Sequence, residues 1–76
     1  MGKKALSIDN TPYEWDESTI TGTQLRELGS IPEGVQLFHI IPGQQDEPVE
    51  DDTVVDLTIQ KGIDRFSTDS VASGAG

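Results

Sequence analysis

Between Thr19 and Phe38 the chain reads Thr-Ile-Thr-Gly-Thr-Gln-Leu-Arg-Glu-Leu-Gly-Ser-Ile-Pro-Glu-Gly-Val-Gln-Leu-Phe, and this stretch restricts the fold more than any other. Leu25, Leu28 and Ile31 form one apolar stripe at helical spacing. Thr21 can cap the helix, because its hydroxyl can accept from a free amide of the first turn. Ile20 and Leu25 have the spacing of a hydrophobic staple. Gly29 is expected to stop the helix by taking the left-handed conformation. So short a helix is unstable alone and needs a sheet beneath its stripe. Ile31-Pro32-Glu33-Gly34 turns the chain at once into Val35–Ile41, whose composition is that of a strand. The turn leaves so little chain that the helix must lie across the sheet this strand joins. With Val35, Leu37 and Ile41 facing inward, Phe38 and Ile40 share the other face. They form either an edge of the core or a recognition patch.

The flanking segments supply the rest of the sheet. Leu6 and Ile8 alternate in a first strand, Asp9-Asn10-Thr11-Pro12 reads as a turn, and Tyr13-Glu14-Trp15 alternates again. This predicts an antiparallel hairpin. Pro48-Val49 reads as a very short edge strand. Thr53-Val54-Val55-Asp56 has the spacing of a capping box, which predicts a single helical turn there. Leu57 and Ile59 are expected to point back to the core. Gly62–Thr68 reads as the last strand, and the odd spacing of Ile63 and Phe66 suggests a bulge. Strands one and five would be parallel neighbours. The expected class is α+β: a β-grasp mixed sheet with one crossing helix over residues 1–68, followed by a flexible tail, 69–76.

Seventy-six residues make one domain near the lower size limit for a self-sufficient core. There is no cysteine, so neither disulfides nor a thiolate-held metal reinforce it. Fourteen acidic against five basic residues give a net charge of −9. That balance argues against nucleic acid and anionic membranes as partners and favours basic protein surfaces. No stretch is long and apolar enough to read as a membrane span or a secretory signal, so a cytoplasmic protein is expected.

The side chains offer little chemistry. Glu47, Glu50, Asp51 and Asp52 lack the spacing and central glycine of a calcium loop and read as a solvated acidic surface. His39, the only histidine, stands within a strand without a positioned nucleophile and reads as structural. Glu14, Asp16 and Glu17 sit at a hairpin end, with no pocket to shift their pKa values. No phosphate-binding glycine motif is present. The expectation is a protein that is not an enzyme, with no catalytic residue, metal or cofactor. Six of the last eight residues, Asp69–Gly76, are Ser, Ala or Gly, which suits a terminus that threads a narrow partner site.

Two ordered blocks resemble ubiquitin: Thr19–Phe38, and Val49–Lys61 with its closing Ile59-Gln60-Lys61. The opening, from Ser7-Ile8-Asp9 through Pro12-Tyr13-Glu14-Trp15-Asp16 to Ile20-Thr21-Gly22, is more similar to bacterial ubiquitin-like domains of the multiubiquitin type. The resemblance covers about residues 3–68. It implies a protein modifier that works with an E1-like activating enzyme, an E2-like carrier, a deconjugating peptidase and target proteins. Some such systems serve antiphage defence. Under this likeness Gly76 would be adenylated and passed by way of a carrier thiol to a target, with Ala75 and Gly74 behind it in the conjugation terminus. Phe38 takes the position at the centre of ubiquitin's recognition patch, with Ile40 beside it. Lys61 takes the position of a lysine used in chain building, a candidate acceptor. The tail departs from the pattern, because Ser73-Gly74-Ala75-Gly76 stands where ubiquitin has an Arg-containing strand and two glycines. A sulfur carrier and a non-covalent β-grasp scaffold or binding module, self-associating in one version, are the alternatives. Ala75 disfavours the first, since such carriers usually end in two glycines.

Overall fold

Asp9 and Asn10 both adopt positive φ, 51° and 71°, the geometry that a two-residue hairpin turn requires. They join β1 (Lys4–Ile8) to β2 (Thr11–Trp15), with Ile8 opposite Thr11 and Lys4 opposite Trp15. The turn is therefore tighter than the sequence suggests, and Thr11 and Pro12 belong to the strand. The computed structural model describes residues 3–59 and 62–69.

After β2, the Trp15 indole donates to the Thr19 carbonyl at 2.8 Å and closes the approach to β3 (Thr19–Thr21). Helix α1 (Gly22–Leu28) follows immediately. Thr21 caps it as expected, and Gln24 completes a reciprocal capping box: Gln24 N donates to the Thr21 hydroxyl while Thr21 N donates to the Gln24 side chain. Ile20 and Leu25 are both fully buried. The helix end differs from expectation. Gly29 has φ −95°, and Ser30 takes the left-handed turn at φ +54°. Gly29 serves packing instead, since a Cβ there would meet the Ile8 side chain at 3.0 Å.

The remaining strands are β4 (Gln36–Ile40), β5 (Glu47–Val49), β6 (Val54–Asp56) and β7 (Asp64–Asp69). Five of the seven form one sheet in the order β2-β1-β7-β4-β5, with β7 parallel to β1 and antiparallel to β4. β3 and β6 pair separately, Ile20 opposite Val55. Leu6, Ile8, Leu37, Val49 and Phe66 of the large sheet join Leu25 of the helix and Ile20, Val55 and Leu57 in a single core. A mixed sheet with one helix closing its inner face is the β-grasp architecture. Proline stands in both outermost strands, Pro12 in β2 and Pro48 in β5, where a missing donor does least harm to the ladder.

Three further expectations are corrected. Residues 54–56 are a strand and not a helical turn, because long-range pairing with β3 outweighs the local capping signal. The Thr53 hydroxyl accepts from Glu50 N at 2.9 Å, so it holds a turn and caps nothing. Leu57 is buried, but Ile59 is 75% exposed. β7 carries no bulge: its register against β4 runs unbroken from Ile40–Arg65 to Gln36–Asp69. The inward partner of Phe66 is Asp64, 1% exposed, while Ile63 faces solvent.

Candidate functional site

Alternation along β4 puts Leu37 and His39 inward and Phe38 and Ile40 outward. The sequence-predicted pair thus shares the outer face of the sheet, as expected. Both side chains are half-buried. Phe38 lies between Ser67 of β7 and Pro48 of β5, and Ile40 lies opposite Arg65. In a chain of net charge −9, this face is a small apolar spot beside a cation.

Behind Phe38 the strand is fixed by a buried polar pair. His39 Nε2 lies 3.2 Å from Asp64 Oδ1, within hydrogen-bond distance. His39 also stacks on Phe66, ring centroids 4.7 Å apart. Burial pushes the Asp64 carboxyl above its ordinary range, and the hydrogen bond to His39 offsets part of that rise. The pair ties β4 to β7, and among the described residues no nucleophile is hydrogen-bonded to His39.

The exit of β7 is tied as well. Asp9 N donates to the Phe66 carbonyl, and the Asp9 carboxylate accepts from both the amide and the hydroxyl of Thr68. The turn that starts the hairpin therefore grips the last strand one residue before it ends at Asp69. Gly74, Ala75 and Gly76 of the proposed terminus and the acceptor candidate Lys61 lie outside the described residues. Glu47, Glu50, Asp51 and Asp52 are exposed, as are Glu14, Asp16 and Glu17. Among the described residues no group of three or more His, Cys, Asp or Glu side chains is placed to hold a metal ion. No helix among them is long and apolar enough to cross a membrane.

The sequence reading missed one feature. Beside β5, Val54 and Ile59 line a groove with Val49, Ile41 and His39. Val54 is 63% exposed. The signal was obscured because Thr53–Asp56 resembles the start of a helix.

A family model described as Multiubiquitin matches residues 5–70. The chain belongs to the multiubiquitin family. The match takes in the helix and all the described strands except Lys4 at the start of β1, so the ubiquitin-like reading of the two blocks extends over the folded domain. No curated protein and no solved structure matches the chain. In this multiubiquitin domain the pair Phe38–Ile40 lies on the outer face of the sheet, and the exit of β7 is tied to Asp9.

Proposed function

We propose that this multiubiquitin domain is a protein modifier, joined to targets through the carboxyl group of Gly76. The observation that carries the reading is the placement of β7. The last strand lies in the middle of the sheet, held by β1, β4 and Asp9, and it hands over at Asp69 to seven residues with no side chain larger than valine. Fully extended, those seven could reach roughly 25 Å. A rigid body with a slim, reactive end suits an enzyme that must draw a carboxylate into a closed site.

In this scheme the Gly76 carboxylate attacks the α-phosphate of ATP on an E1-like enzyme, giving an acyl-adenylate and pyrophosphate. An enzyme thiol displaces AMP, and an E2-like carrier takes the acyl group by thioester exchange. A target amine or hydroxyl then releases the carrier thiol and forms an amide or ester. The domain itself supplies no catalytic group and needs no cofactor. Phe38 and Ile40 form the face by which partners, including a deconjugating peptidase, hold the folded body. Lys61 is the acceptor should copies be linked. The same scheme places the protein in a bacterial cytoplasm, with antiphage defence as one setting.

The test is incubation of a chain ending at Gly76 with its cognate E1-like enzyme and ATP. An adduct lost on removal of Gly76 is the expected result. Absence of any adduct overturns the proposal, a terminal thiocarboxylate would indicate a sulfur carrier, and function retained without residues 70–76 would indicate a non-covalent module.

A further inference from the structure

Among the described residues β6 pairs with β3 alone, which leaves a gap between it and the β4–β5 edge of the large sheet. The gap is a groove of about 650 Å³. Its apolar lining includes Ile41, Val49, Val54 and Ile59, and the last two are the most exposed large apolar side chains among the described residues. Among the described residues its charged lining is Glu47 and Asp56, with no Lys or Arg. The Thr58 hydroxyl and amide both donate to Asp56 Oδ1, at 2.6 and 2.9 Å, fixing that carboxylate in place. The same bonds hold its pKa below the usual carboxylate range. The groove includes His39, which points inward, whereas Phe38 and Ile40 point outward. The two surfaces lie on opposite sides of β4.

We propose that this groove docks a protein segment that sets an aliphatic or aromatic side chain between Val54 and Ile59 and a Lys or Arg against Glu47 and Asp56. Exposed branched side chains gathered in one concavity mark an interaction site more often than scattered ones do. The charge selects the occupant. A second copy would bring another net −9 to an acidic groove, so self-pairing is repelled while a basic segment is attracted. Addition of a strand to β5 is not the mode of binding, because Pro48 interrupts its donors. Recognition rests on side chains. Because this site is separate from Phe38 and Ile40, it holds whether or not the domain is conjugated.

The experiment uses the full chain, immobilised and panned with a random dodecapeptide phage library, then titrated in ¹⁵N-labelled form with the enriched peptide. Enriched sequences should combine an aliphatic or aromatic residue with Lys or Arg, and shifts should centre on Thr53, Val54, Asp56 and Ile59. Ile59→Ser and Val54→Ser should each weaken binding at least about tenfold, given the area removed from contact. Glu47→Gln should weaken it a few-fold and reduce its salt dependence. Phe38→Ser should leave it unchanged. Both groove residues are exposed, so an unaltered urea midpoint separates lost contact from lost fold. Failure to enrich any sequence overturns the proposal. So does enrichment insensitive to Ile59→Ser and Val54→Ser, shifts spread evenly over the acidic surface, or a dimer that Ile59→Ser dissociates.

Discussion

Replacing Gly22 by alanine should unfold this protein far more readily than an exposed helix position would suggest. An ideal Cβ at Gly22 would stand 1.9 Å from the Glu50 carbonyl oxygen, 2.7 Å from its carbon and 3.1 Å from the Asp51 Cα. All three are backbone atoms, so no side chain can swing aside. The loop they belong to is also fastened to the helix start. Gly22 N donates to the Thr53 carbonyl at 3.0 Å, and Thr23 donates to the Asp51 carbonyl from its amide and hydroxyl, at 3.2 and 3.1 Å. Arg26 pairs with Asp51 at 3.2 Å. Forcing the loop outward costs about 1–3 kcal/mol of overpacking, plus about 1 kcal/mol for each backbone bond it weakens. A net loss of roughly 2–4 kcal/mol is expected. A chain of 76 residues has roughly 4–11 kcal/mol in all, so a large share of it would go. Urea unfolding followed by circular dichroism should show the midpoint lowered by on the order of 2 M at unchanged slope. Gly34→Ala is the control: it has φ +90° and nothing within 4 Å of an added Cβ, so it isolates the conformational cost. A Gly22→Ala loss below about 0.5 kcal/mol, or one no larger than that of Gly34→Ala, would refute the steric reasoning.

Three other outcomes follow from the core and its ties. Asp64 is raised above its ordinary 3.8 by burial, so the native state holds its proton more tightly than the unfolded chain does. That stabilisation is complete below the ordinary value and is lost as pH rises through the native pKa. Asp64→Asn keeps the acceptor without the charge, and pH-dependent unfolding should show this decline removed, with stability at pH 7 no lower than in the parent. Asp9→Gly keeps the positive φ but removes the carboxylate that grips Thr68, so hydrogen exchange at the Thr68 amide should accelerate while β1 amides stay protected. Leu25→Ala empties a fully buried site and should cost about 2–5 kcal/mol in chemical denaturation.

Local signals were enough for the parts of the fold that local chemistry determines. The Thr21 cap, the Ile20–Leu25 staple, the Leu25–Leu28–Ile31 stripe and the outward placement of Phe38 and Ile40 were all legible, and so was the parallel pairing of first and last strands. β6 was not, because Thr-Val-Val-Asp satisfies a capping pattern while its actual fate depends on Ile20, far away in sequence. β7 was misphased for a related reason. An aspartate takes the inward place, and its partner His39 stands 25 residues earlier, so periodicity alone selects the exposed Ile63. The groove inherited the first error, since its Val54 wall exists only once β6 is a strand.

Because β1 and β7 run side by side in one direction, Leu6 against Asp64 and Ile8 against Phe66, traction on the chain beyond Asp69 meets an unusual resistance. With the chain held ahead of Lys4, the two strands would have to slide past each other lengthwise, straining their cross-links all together instead of peeling them singly. A pull that begins at that end would load the β1–β7 pairing before the rest of the fold.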